Sequence, residues 1–152
     1  MFGGKPHASL RKRLKTITAA SVLELGVGDG SQAIAVMETL STKSDSIRYF
    51  GIDEFEMADG VNLKQFHQTL RNRNIRPQLF PGSVERGLIK IAHTFGFVDL
   101  ILVADGGVVD SDPAILGLLN RVSHDGTVIL VARNETWTVQ QLSNTQARRR
   151  AA

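Results

Sequence analysis

The sequence predicts an α/β fold: a doubly wound, mainly parallel sheet of about five strands in the order 3-2-1-4-5, with helices on both faces. Three observations predict it. Short apolar runs alternate with amphipathic stretches along nearly the whole chain, the pattern of repeated strand, helix, strand units. The strongest run, Val98 to Ala104, is almost continuously apolar, as a strand covered by helices on both faces must be. The first strand enters a turn of three glycines that opens directly into a helix. Parallel neighbours joined through helices require right-handed crossovers.

Taken in order, a basic helix near 7–19 comes first, with Leu10, Leu14 and Ile17 at helical spacing. Ser21 to Leu25 is the first strand, and the helix from Ser31 to Leu40 carries Ile34, Met37 and Leu40 on one side. The second strand, 47–52, ends in Asp53-Glu54, and a helix near 61–73 presents Leu63, Phe66 and Leu70. Gln78 to Phe80 lies between Pro77 and Pro81, which suits a strand at the sheet edge. A helix at 83–94 leads to the strand 98–104. Asp112-Pro113 supplies an N-cap and a proline at the first helical position for a helix to Val122. Asp125-Gly126 then turns the chain into the fifth strand, Thr127 to Ala132. Residues 135–147 read as a terminal helix, although Thr136-Trp137-Thr138-Val139 also suits a short edge strand.

With 152 residues, 42% hydrophobic and 22% charged, the chain reads as one domain: a basic N-terminal helix over 1–20, a core over 21–134, and a terminal helix with a basic tail over 135–152. There is no cysteine, which excludes disulfides, cysteine-based metal sites and cysteine nucleophiles and leans towards a cytoplasmic protein. No apolar run approaches the roughly 20 residues needed to span a bilayer, and no signal core follows the basic start, so the reading is a soluble, unprocessed chain. The net charge of +3 hides an asymmetry: the ends carry +8 and residues 21–145 carry −5. A nucleic-acid binder concentrates positive charge on its folded body, so this distribution disfavours nucleic acid as a partner.

In such sheets ligands bind beyond the carboxyl ends of the strands. The turn there reads Glu24-Leu25-Gly26-Val27-Gly28-Asp29-Gly30. Glycines suit a tight turn and a close approach of backbone to ligand. A dinucleotide fingerprint would need its third glycine at Ser31. The spacing acidic-x-Gly-x-Gly-x-Gly instead resembles the first motif of class I S-adenosylmethionine-dependent methyltransferases, and the resemblance extends over about residues 20–134.

That resemblance implies a cofactor, S-adenosylmethionine, converted to S-adenosylhomocysteine. Gly26, Gly28 and Gly30, with Asp29 in the same turn, would lie against its methionine part, and Glu24 would orient its amino group through water. Asp53 would accept hydrogen bonds from both ribose hydroxyls. Glu54, Phe55, Ser83 and Val84 would border the adenine, Ser83 standing where many relatives carry an acid. Asp105 is the one candidate for a proton acceptor. Relatives similar to small-molecule O-methyltransferases end the fifth strand in Asp-Asn at a divalent-cation site. Here the residues are Arg133-Asn134, and a guanidinium opposes a cation, so no metal is expected. The missing cysteine excludes pyrimidine C5 methylation, and Ala104-Asp105-Gly106-Gly107 lacks the motif of amino-methylating nucleic-acid enzymes.

Only 20 residues follow Ala132, too few for the helix and antiparallel hairpin that usually close the family's sheet, so the resemblance is to a short, C-terminally truncated member. The acceptor, a small molecule or a protein, is not legible. The open sheet edge leaves room for a homodimer. Two other readings stand beside methyl transfer: an NAD(P)-binding Rossmann protein, and a non-catalytic cofactor-binding or interaction module. His7, His67, His93 and His124 lack ligand spacing, and Trp137 is expected to pack rather than stack on a substrate.

Overall fold

The computed structural model describes residues 7–43 and 46–142. The elements run α1 (Ala8–Leu14), β1 (Ser21–Leu25), α2 (Ser31–Leu40), β2 (Arg48–Asp53), a 3-10 turn (Phe55–Ala58), α3 (Leu63–Asn72), β3 (Arg76–Pro81), α4 (Val84–Thr94), β4 (Val98–Val103), α5 (Gly106–Ser111), α6 (Pro113–Arg121), β5 (Ser123–Arg133) and β6 (Thr136–Val139). They form one sheet in the order β3-β2-β1-β4-β5-β6. The first five strands are parallel and β6 is antiparallel to β5.

Alternation along each strand divides the core in two. Val22, Tyr49, Leu100, Leu102 and Leu130 face α1, α2 and α3, while Leu23, Phe50, Ile52, Ile101 and Val131 face α4, α5 and α6. Helix starts follow local capping. Side chains of Asn62, Ser83, Asp105 and Asp112 accept the amides of Gln65, Arg86, Gly107 and Ala114, and Pro113 stands at the first position of α6. Pro77 and Pro81 sit on β3, an outer strand of the sheet, as the sequence predicts. Trp137 is packed in the core, as expected.

Two expectations need correction. The segment read as a terminal helix over 135–147 contains β6, so the sheet does not stop at five strands: one short strand follows the fifth and pairs antiparallel with it. The reason lies in Asn134 and Glu135: both adopt positive φ, 51° and 66°, and form the two-residue turn that reverses the chain beside β5. Residues 143–147 of that helix, the basic tail and the first six residues lie outside the described residues. The expected fifth strand is also longer. Val98 pairs Ser123, yet Leu100 pairs Val128, so the Asp125-Gly126 turn is an excursion within β5. Thr127 Oγ1 holds it by donating to the carbonyl of Val98 at 2.6 Å and accepting the amide of His124 at 2.9 Å.

Glu135 occupies a left-handed conformation that costs a side-chain-bearing residue about 1–2 kcal/mol and glycine almost nothing. Part of that gain is lost to glycine's greater freedom when unfolded. Glu135→Gly is therefore expected to stabilise the protein by about 0.5–1 kcal/mol, read as a rise of a few degrees in thermal unfolding. An unchanged or lowered midpoint would contradict the assigned turn.

Candidate functional site

The carboxyl ends of β1, β2 and β3 meet around one side chain, that of Asp53. Its Oδ2 accepts the amides of Val27 at 2.6 Å and Gly28 at 3.1 Å, and its Oδ1 accepts the amide of Phe55 at 2.6 Å. One carboxylate thereby fixes the glycine turn after β1 to the start of the 3-10 turn after β2. The segment beyond returns to the same turn, since the amide of Val61 donates to the carbonyl of Gly28 at 2.9 Å. A carboxylate has roughly four acceptor positions. Three are taken by backbone, which leaves capacity for one hydroxyl rather than the two that the sequence led us to expect.

The turn glycines differ in what constrains them. Gly28 has φ 62°, and a Cβ there would meet nothing within 4 Å, whereas a Cβ on Gly30 would lie 3.1 Å from the ring of Phe66. Backbone therefore faces open space at Gly28 and packs against α3 at Gly30. Asp29 is exposed and accepts the amide of Ser31 at 2.9 Å; these hydrogen bonds to Ser31 hold its carboxyl below the usual carboxylate range.

Glu24 departs from expectation. It is fully buried on the α2 side of the sheet, where Tyr49 Oη donates to its Oε1 and Gln32 Nε2 donates to its Oε2 at 2.5 Å. It does not line the cavity described below; it holds the first turn of α2 from beneath. Gly51, the register partner of Glu24 on β2, leaves the room for this contact: a Cβ there would lie 2.9 Å from the Tyr49 ring. Burial pushes the Glu24 carboxyl up from its ordinary 4.5 to about 7, against the two hydrogen bonds that lower it, with the charges of Asp53 and Asp29 adding to the rise.

Beside Asp53 opens a cavity of about 400 Å³ lined by Gly26, Asp53, Glu54, Gly82, Ser83 and Val84 among others. Its lining comes from the ends of three neighbouring strands. Phe55 is not part of it. That ring is completely buried among Tyr49 and Phe66, because Phe55 takes a left-handed backbone, φ 55°, immediately after Glu54. Asp53, Glu54, Ser83 and Val84 line this one cavity, whereas Phe55, which the resemblance placed beside them, belongs to the core.

A second cavity, of about 500 Å³, lies at the ends of β4 and β5 and is lined by Asp105, Gly106, Asp110, Arg133, Asn134 and Glu135. Asp105 is exposed, and its Oδ1 accepts the amide of Gly107 at 2.9 Å. Arg133 donates from Nε and Nη2 to the two carboxylate oxygens of Asp110 at 2.9 and 2.8 Å, a fork-to-fork ion pair. Sequence reasoning gave Asp110 no function, and nothing in the local pattern points to a partner 23 residues away. Among the described residues no group of three His, Asp or Glu side chains is placed to hold a metal ion, and no helix is long and apolar enough to cross a membrane.

No family model and no curated protein sequence matches the chain. Solved structures do match it in shape. An O-methyltransferase from Streptomyces achromogenes involved in tomaymycin synthesis, in complex with S-adenosylmethionine, is similar with TM-score 0.59 and 17% identity, over 80% of this chain and 52% of that one. A methyltransferase from Podospora anserina bound to S-adenosylhomocysteine gives TM-score 0.62 and 16% identity, over 82% and 50%. A methyltransferase from Geobacter sulfurreducens gives 0.60 and 17%, over 87% and 61%. The chain shares the fold of these methyltransferases. The chain spans about half the length of the first two of these structures.

Within this methyltransferase fold the strand order reverses between β1 and β4, and both cavities open at the carboxyl ends of the strands on either side of that point. Glu24 lies under the same point. Its proton is held more tightly in the folded chain than in the unfolded one, so its effect on stability has a definite sign. Below about pH 4.5 both states are protonated and there is no penalty; as pH rises towards 7 the unfolded chain ionises first and the fold loses stability, by about 3 kcal/mol. Denaturant unfolding of the parent chain and Glu24→Gln between pH 4.5 and 8 is expected to give a difference that shifts in favour of the variant as pH rises. A pH-independent difference would contradict a neutral, buried Glu24.

Proposed function

We propose that the chain binds S-adenosylmethionine in the cavity at the ends of β1, β2 and β3 and transfers its methyl group to an acceptor placed at the ends of β4 and β5. The observation that carries this reading is the first cavity itself. It has the volume of a small-ligand site, two carboxylates, Asp53 and Glu54, with spare acceptor capacity, and backbone at Gly82 where a Cβ would meet nothing within 4 Å. The turn beside it is open at Gly28 in the same way.

These residues fit the cofactor. Asp53 would accept a ribose hydroxyl, Glu54, Gly82, Ser83 and Val84 would border the adenine, and Gly26 and Gly28 would admit the methionine part close to backbone. When bound, the cofactor supplies an electrophilic methyl group on a sulfonium. What the chain contributes is alignment, which supplies up to about 7–11 kcal/mol of a barrier when reacting groups are well oriented. Asp105 keeps one carboxylate oxygen beyond its bond to Gly107, and at that atom it would take a proton from a hydroxyl or amine acceptor. Arg133 and Asp110 would form the charged wall of the acceptor side.

Thermal unfolding with S-adenosylmethionine, S-adenosylhomocysteine, NAD and NADP tests the reading. At about 100 times the dissociation constant a ligand adds roughly 2.7 kcal/mol, or about 5–10 °C for a chain of this size. The expected outcome is a rise with the first two ligands alone. Asp53→Ala is a poor control, since it also releases three amides. Val84→Trp, which fills the cavity from its rim, is expected to keep the fold and abolish the rise. A response confined to NAD or NADP, or a response that survives Val84→Trp, would overturn the proposal. Ligand binding without turnover over a panel of hydroxyl and amine acceptors would leave a cofactor-binding module and overturn the transfer step.

A further inference from the structure

A further cleft belongs to neither cavity above. It is a groove of about 960 Å³ between β3 and α4, on the far side of α4 from the acceptor end. Its apolar part is formed by half-buried Phe80, Ile89 and Phe95. These rings are held in place: Phe95 packs edge-on against Phe50 at 5.0 Å and Phe80 at 6.4 Å between centroids, and the Arg48 guanidinium lies 5.1 Å from the Phe95 ring. The surface offered to a partner is therefore ordered in advance of any encounter.

Three exposed side chains of α4, Arg86, Lys90 and His93, line the same groove. They stand at i, i+4 and i+7 and so form one stripe along the helix. No acidic residue lines the groove. Several basic side chains elsewhere among the described residues are engaged, while Lys64, Arg71 and Arg121 are not: Arg11 and Arg73 meet Glu38, Arg133 meets Asp110, Arg13 donates to the carbonyl of Trp137, and Lys43 donates to three carbonyls that follow α1 or end it. Among the described residues, the side chains of Arg86, Lys90 and His93 have no such hydrogen-bonding or ionic partner. The cleft beside α1 differs too, since Glu38 lines it along with Arg11, Lys12 and Lys15. The ends of the chain do not complement the groove, because residues 1–6 and 143–152 contain Lys5, Arg148, Arg149 and Arg150 and no acid.

The form of the occupant follows from β3. Gly82 donates its amide to Asp53, so alternation turns the even-numbered residues of β3 towards β2 and residues 77, 79 and 81 outwards. Two of those three are prolines without an amide hydrogen. The outward edge offers one N–H donor, that of Leu79, beside its carbonyls, and is poorly suited to an added strand. Recognition must then proceed through side chains in the groove. An amphipathic helix does this, with apolar anchors on one side and charges at matching i, i+4, i+7 spacing.

We propose that the groove between β3 and α4 docks an acidic amphipathic helix of a partner protein, its apolar face on Phe80, Ile89 and Phe95 and its carboxylates along Arg86, Lys90 and His93. Nucleic acid is the poorer match, because the floor is apolar and the folded body carries net negative charge.

The test is backbone amide NMR of the whole chain titrated with a synthetic helical peptide bearing Glu at i, i+4 and i+7 and Leu and Phe on the opposite face. Shifts are expected at Phe80, Arg86, Ile89, Lys90 and His93, with affinity falling as salt rises. Arg86→Glu/Lys90→Glu changes only exposed side chains, and it is expected to weaken binding at least tenfold with an unchanged thermal midpoint. Lys12→Glu/Lys15→Glu, on α1 and just after it, is expected to bind as the parent does. The proposal is overturned if the peptide causes no shifts, if it shifts α1 instead, or if the α4 variant binds equally well. It is also overturned if the groove signals respond only to a single-stranded RNA, or move with protein concentration alone, which would assign the groove to a second copy.

Discussion

The Asp53 carboxylate is the constraint on which the rest of the site depends. A parallel sheet leaves each strand end pointing into a separate loop, and loops after neighbouring strands have no intrinsic reason to agree in position. Here one side chain at the end of β2 accepts amides from the loop after β1 and from its own loop, at 2.6, 3.1 and 2.6 Å. Charged acceptors make the stronger hydrogen bonds. The cavity between those loops is accordingly a property of the fold before any ligand arrives. The carboxylate is shared between structure and recognition, and its remaining capacity, about one hydrogen bond, is what a ligand can use.

Beneath the turn stands the second acid, and its role is of another kind. Glu24 is out of solvent and out of the cavity, braced by Tyr49 across the space that Gly51 leaves and by Gln32 from the first turn of α2. A buried polar group is tolerated only when its bonds are made. This one makes them to β2 and α2 at once, so the carboxyl ties the two elements that flank the glycine turn. Desolvation keeps its proton until about neutral pH, which makes it a neutral strut at the site rather than a charge facing a ligand.

Much of this was legible in the sequence because it is local. The spacing of Leu63, Phe66 and Leu70, the cap at Asp112 with Pro113, the paired prolines of β3 and the glycine turn each act within a few residues, and each element appears where its signal lies. Asp53, Glu54, Ser83 and Val84, which the family resemblance grouped as ligand contacts, lie together at neighbouring strand ends. What was not legible depends on contacts far apart in sequence or on backbone conformations that side-chain type does not announce. Phe55 is drawn into the core by a left-handed φ; Tyr49 reaches Glu24 across 25 positions; Arg133 finds Asp110 across 23. The strand at Thr136–Val139 was ambiguous in composition and was decided by positive φ at Asn134 and Glu135, residues without the usual glycine signature of such a turn.

The central claim is that one preformed staple at Asp53 both holds the glycine turn and borders the ligand cavity. Amide hydrogen exchange and chemical shifts of Val27, Gly28 and Phe55, followed with and without S-adenosylhomocysteine, test it most directly. All three amides are expected to be protected in the free protein, as donors to a carboxylate must be, and their signals to move on adding the ligand while those of α6 stay in place. Fast exchange at these amides in the free protein, or ligand-induced shifts elsewhere that leave all three untouched, would contradict it.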